Sequence, residues 1–188
     1  MGNGGDWEKQ LLTLAFQAEP VLISAAVPPF HGDGLKEAYA HAERVTACYS
    51  KSFHFASALL PKEKRLAVRA LYAFCRTVDD IVDTPGNQDP QDQLDYWRKV
   101  SLTGTFHSGD RVAAAWSDTL ARYHIPRIYA LQLIDGVARD LMQTRYRTFD
   151  ELTLYCYGVA STVGLMSMYI VGFTDLEAIP YAIKWFSR

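Results

Sequence analysis

Apolar positions recur every three or four residues along most of the chain, and no stretch alternates in the way that marks a half-buried strand. The pattern begins near Leu35 and runs through GLKEAYAHAERVTACYSKSFHFASALL, with a break around Cys48–Lys51 where Ser50 can cap a second segment. Pro61 opens the next helix, whose apolar residues Leu66, Ala70, Phe74 and Val78 recur every four to about Asp83. Thr84-Pro85-Gly86 closes it. Asp89-Pro90 reads as a cap plus first-turn proline for a helix to about Val100, and further helices are expected over Gly109–Tyr123 and Pro126–Gln143.

Thr148-Phe149-Asp150-Glu151 is a capping box and starts a nearly uncharged stretch, Leu152–Phe173. That stretch reaches the length of a membrane span, but its tyrosines and small residues favour a central bundle helix. A second capping box, Thr174-Asp175-Leu176-Glu177, opens a last segment that reaches Arg188 with no stop signal, as though inside a helix. The expected class is all-α: a bundle of six to eight helices with short connections. Residues 1–33, punctuated by glycine and proline, read as an irregular N-terminal extension ahead of the N-terminal portion of a helical domain over 34–188.

Composition narrows the partners. At 188 residues and 49% hydrophobic, the chain can build one real core or form part of a larger domain. A net charge of −2 offers no basic field for nucleic acid. Cys48, Cys75 and Cys156 are odd in number and far apart, without zinc-type spacing, so reduced, buried thiols are expected. The opening MGNGGDWEK is acidic where a signal peptide is basic, and the apolar run after it is interrupted by Gln17, Glu19 and prolines. A cytoplasmic protein is expected, with loose contact to a membrane surface left open.

Four stretches can carry chemistry. In RALYAFCRTVDDIVD, Asp79 and Asp83 share a helix face, with Asp80 between them and Arg76 one turn earlier. Carboxylates at a helix C-terminus oppose the helix dipole, and a bound cation would explain them; spacing alone also fits a solvated face. Ser50 and Ser52, flanking Lys51, can cradle phosphate at a helix start or simply cap it. In YCYGVASTVG, Gly158, Ala160, Ser161 and Gly164 form a small-residue face for a neighbouring helix or a long apolar ligand. Asp135 and Arg139 have ordinary ion-pair spacing, and Arg145 and Arg147 can reach phosphate. No nucleophile–His–acid order, phosphate-loop or dinucleotide fingerprint is present.

Taken together, SKSFHFASALLPKEKRLAVRALYAFCRTVDDIVD and ARDLMQTRYRTFDELTLYCYGVASTVGLM resemble the squalene/phytoene synthase family, head-to-head prenyl transferases, over roughly Tyr39–Gly172. The resemblance implies an isoprenoid-synthase helical fold and condensation of two farnesyl or geranylgeranyl diphosphates through a cyclopropyl diphosphate. It implies Mg²⁺ (or Mn²⁺) held by two aspartate-rich motifs, and NADPH only if squalene is the product. By the same resemblance Asp79 and Asp83, with Asp80 less firmly, are metal ligands, and Ser50, Ser52, Tyr72 and Arg76 contact diphosphate. Tyr155 is the active-site tyrosine, Gly158, Ala160 and Gly164 line the prenyl cavity, and Asp140, Arg145 and Tyr146 match a further motif. No partner protein is implied. No second D-x-x-x-D follows Tyr155, so the chain is expected to be a C-terminally shortened, inactive piece. Two alternatives stand beside this: a head-to-tail prenyl transferase or terpene cyclase, since DDIVD also spells D-D-x-x-D, and a non-catalytic helical module for lipid or a partner.

Overall fold

The computed structural model describes residues 6–17, 33–143, 145–173, 175 and 177–186. Among them there is no strand, and ten α-helical segments follow one another. They are α1 (Asp6–Phe16), α2 (Asp33–Tyr49), α3 (Lys51–Ser57), α4 (Lys62–Asp83), α5 (Pro90–Thr103), α6 (Arg111–Arg122), α7 (Arg127–Ala138), α8 (Phe149–Cys156), α9 (Thr162–Val171) and α10 (Ala178–Phe186). A 3-10 turn, Arg139–Leu141, extends α7, and a π turn, Tyr157–Ser161, joins α8 to α9. The count exceeds expectation because α1 was not foreseen and the long uncharged stretch is divided by its π turn.

Helix α4 is the centre. It packs against α2, α3, α5, α6, α7 and α9. Ala70, Phe74 and Val78, four apart, are fully buried. Phe74 lies flat on Trp116 of α6 at 4.4 Å between ring centres and leans on Trp97 of α5 at 5.5 Å. The buried Trp116 indole satisfies its N–H by donating to Ser101 Oγ at 3.2 Å. Such large rings dominate core energetics, so this cluster sets how α4, α5 and α6 meet.

Local signals fix the ends. Ser50 Oγ accepts from Phe53 N at 3.3 Å, Asp110 Oδ1 from Ala113 N at 2.9 Å and Thr148 Oγ1 from Glu151 N at 3.1 Å. The Glu151 carboxylate returns to the N–H of Arg147 at 2.8 Å, one residue before the cap. Asp89 precedes Pro90 as expected but makes no capping hydrogen bond. Gly104 ends α5 with φ 71°, a backbone region natural to glycine.

Three expectations need correction. The stretch read as irregular over 1–33 is helical over Asp6–Phe16, because Leu11 and Ala15, one turn apart, both bury completely. Tyr129 Oη donates to Ala15 O at 3.0 Å and Gln132 Nε2 to Leu14 O at 3.0 Å, so α7 side chains satisfy carbonyls that the end of α1 leaves over. The remainder, 1–5 and 18–32, lies outside the described residues, as do positions 174 and 176 of the second capping box. All three cysteines are free, but Cys48 is exposed and not buried. Asp135 pairs with Arg98 of α5, at 2.8 Å to Nη2, and not with Arg139; the tertiary partner wins over the neighbour on its own helix.

One helical run among the described residues, Phe149–Val171, is long and apolar enough to cross a membrane by length and composition. Its contacts with α4 and α7 through α9 and the π turn make it a wall of the bundle.

Candidate active site

The C-terminal third of α4 faces the 3-10 turn after α7 and the end of α8. Asp79 is half-buried and Asp83, four residues on, is exposed. Burial, and then the Asp83 charge, push the Asp79 carboxyl up to about 6, against the pull of the Arg76 guanidinium. Asp140, across on the 3-10 turn, is near enough to add to that push. Tyr155 Oη donates to Asp140 Oδ2 at 2.9 Å, and the Tyr155 ring lies 4.8 Å from the ring of Tyr146. Burial, and then the bond to Asp140, hold the Tyr155 phenol well above its ordinary range, so it stays neutral.

Arg76 donates through Nη2 to Asp80, one turn on, and its guanidinium stacks over the Tyr49 ring at 4.6 Å. Its Nε is buried with no partner, as is the hydroxyl of Tyr146. A buried donor without an acceptor is costly. Tyr72 stacks on Phe53 of α3 at 5.3 Å, which lays the Ser50–Ser52 end of α3 beside α4. Ser52 is exposed; the Ser50 oxygen is already used in capping, leaving its O–H to donate.

Among the described residues, no three His, Cys, Asp or Glu side chains come together as a metal cage. Two carboxylates still suit Mg²⁺, which usually keeps waters and shares its shell with phosphate oxygens. A cation beside the pair would offset the burial and the Asp83 charge that push the Asp79 carboxyl up. Asp80 is drawn off by Arg76 and borders a separate recess of about 390 Å³ with Thr77, Thr84 and Gln93.

The profile of the squalene/phytoene synthases matches residues 46–184. The chain belongs to the squalene/phytoene synthase family. Phytoene synthase 1 of Zea mays, a chloroplastic protein, is 41% identical over 142 residues, 74% of this chain and 35% of the relative. The 15-cis-phytoene synthase of Synechococcus elongatus is 41% identical over 140 residues, 73% of this chain and 46% of that one. A crystal structure of a dehydrosqualene synthase in complex with ligand superposes with a TM-score of 0.74 at 29% identity, covering 82% of this chain and 56% of the other. The helical bundle is therefore of the isoprenoid-synthase type, and the chain spans between a third and a half of these two curated relatives.

The candidate residues do not all meet. Asp79, Asp83 and Arg76 lie within one another's electrostatic reach, with Tyr155 and Asp140 at its edge, and Tyr72 joins α4 to α3 through Phe53. Ala160 and Gly164 border an open apolar groove of about 560 Å³ along α9, with Val163, Ser167 and Met168. Gly158 does not border it. A Cβ on Gly158 would stand 3.0 Å from Gly136 Cα, so this glycine is spent on letting the π turn cross α7. The sequence offered no sign of Tyr49 beneath Arg76, or of the Asp140–Tyr155 bond, whose partners lie 15 residues apart on different elements.

Proposed function

We propose that this chain contributes the first diphosphate-ionising half of a head-to-head prenyl transferase, acting on two prenyl diphosphates. The observation that carries this reading is the meeting of Asp79 with the Asp140–Tyr155 pair. Two stretches distant in sequence come within electrostatic reach of one partly dried carboxylate. Asp79 and Asp83 would hold Mg²⁺, which when bound neutralises a diphosphate and makes it a better leaving group. The partly exposed Arg76 guanidinium and the Ser50 and Ser52 hydroxyls donate to phosphate oxygens. Neutral Tyr155, fixed by Asp140, presents an oxygen lone pair and an electron-rich ring face to a developing allylic cation. The groove along Ala160 and Gly164 takes an isoprenoid tail, by apolar contact.

On this reading the 188-residue chain binds substrate but does not turn it over, because a second carboxylate pair is required. A non-hydrolysable farnesyl or geranylgeranyl thiolodiphosphate, titrated calorimetrically with Mg²⁺, should bind, and Asp79→Asn should weaken it about tenfold or more. Binding indifferent to both Mg²⁺ and Asp79→Asn would sink the proposal. Turnover of geranylgeranyl diphosphate by the chain itself would overturn the requirement for the second pair. Elongated products formed only with added isopentenyl diphosphate would favour head-to-tail chemistry instead.

A further inference from the structure

Helix α3, capped by Ser50 and carrying Ser52, has only seven residues, too few to be stable alone. Something must hold it, and the α4 face beneath it contains an unusual group. Arg69 is 2% exposed, covered by α2 and α3 on a different side of α4 from the Phe74–Trp116 stack. Charged side chains are almost never buried so fully unless paired. Here every arm of the guanidinium is used. Nε donates to Ser57 Oγ at 3.0 Å, Nη2 donates to His54 O at 2.9 Å, and Nη1 donates to Glu43 Oε1 of α2. Two of the three acceptors belong to the last turn of α3, where a helix leaves carbonyls unpaired and favours positive charge. The Ser57 hydroxyl in turn donates to His54 O at 2.9 Å, closing the cluster.

We propose that Arg69 is a positioning residue for the diphosphate end of the site, clamping α3 to α4 and α2 so that Ser50 and Ser52 stand in register with Arg76. Phe53 on Tyr72 pins the first turn of α3 to α4; Arg69 pins the last. With both ends fixed, the serines cannot rotate about the helix axis or slide along α4. The planar fork is essential to this role. A lysine keeps the charge but, with one nitrogen, cannot reach acceptors on both α2 and α3 in a fixed geometry.

The inference rests on reading Ser50 and Ser52 as diphosphate ligands, and the experiment separates the two. Inorganic pyrophosphate with Mg²⁺ is titrated calorimetrically into the 188-residue chain, into Arg69→Lys, into the double variant Ser50→Ala/Ser52→Ala, and into the triple combination. The serine pair should weaken binding about tenfold, as loss of hydrogen bonds to a charged group does. Arg69→Lys alone should weaken it severalfold, and the triple variant should be no weaker than the serine pair, since Arg69 acts only through them. Amide exchange over Phe53–Ser57 should speed up in Arg69→Lys while exchange in α6 is unchanged. Pyrophosphate that fails to bind the native chain, or binds the serine variant equally well, overturns the diphosphate reading and the clamp with it. A weakened serine variant beside a native-like Arg69→Lys overturns the clamp alone, as does a triple variant in which the losses add. Should Arg69→Lys not fold, Ser57→Ala removes one acceptor of the clamp and supports or overturns it by the same comparison.

Discussion

The two halves of α4 treat charge in opposite ways. In the first half Arg69 is buried and all three arms of its guanidinium are answered, by α2 and α3. In the second half Asp79 is half-buried among acids, and its nearest cation, Arg76, has its Nη2 on Asp80. A charge that serves the fold is satisfied within the chain. On the proposed function, the charge meant for a ligand is left dissatisfied until the ligand arrives, at a cost in stability.

Breaking the satisfied half should produce the largest effect. Arg69→Met should destabilise the chain by about 2–3 kcal/mol in urea denaturation, since Ser57 and Glu43 lose the donor and His54 O keeps only the Ser57 hydroxyl, although Glu43 can turn to water. A neutral result would erase the contrast. Gly136→Ala touches neither half and calibrates a purely steric loss. Its Cβ would meet the Gly158 backbone at 3.0 Å, and about 1–3 kcal/mol should be lost in the same assay.

Asp79→Asn should do the reverse and stabilise the metal-free chain by about 1 kcal/mol at pH 7, after screening by the water that reaches it. In the fold this carboxyl keeps its proton to about 6, and in the unfolded chain only to about 4. The fold thus prefers the neutral form. That contribution is complete below about pH 4 and is lost as pH rises through about 6. Melting temperatures in chelator should fall across this window for the native chain and stay flatter for Asp79→Asn. The smallest effect belongs to Arg98→Ala, which removes the exposed Asp95 and Asp135 pairs and should cost about 0.5 kcal/mol in urea.

Much of this was readable from the sequence, for identifiable reasons. Helix α4 was legible because its burial is periodic and its start carries a proline. Ser50 and Thr148 were legible because capping is a local contract between residues three apart. Helix α1 escaped because its short apolar face, Leu11 and Ala15, is hidden between glycine- and proline-rich flanks. Asp135 was assigned to the wrong arginine, since helical spacing cannot see a partner on α5. The small-residue face of the π turn was recognised, but only packing tells Gly158, spent on α7, from Ala160 and Gly164, which border the groove. The burial of Arg69 was not legible, because its acceptors Ser57, His54 O and Glu43 lie on other helices, beyond the reach of helical spacing.

Gln132 also has a practical consequence. Its amide donates to Leu14 O of α1 while its carbonyl oxygen accepts from Tyr157 Oη at 2.9 Å, so one side chain rivets α1, α7 and the π turn together. A chain cut back to begin at Asp33 would leave that amide and the Tyr129 hydroxyl facing solvent and uncover the apolar seat of Leu11. Purification tags and crystallisation trims therefore belong ahead of Asp6, and replacing α1 with a tag would loosen the turn that follows Tyr155.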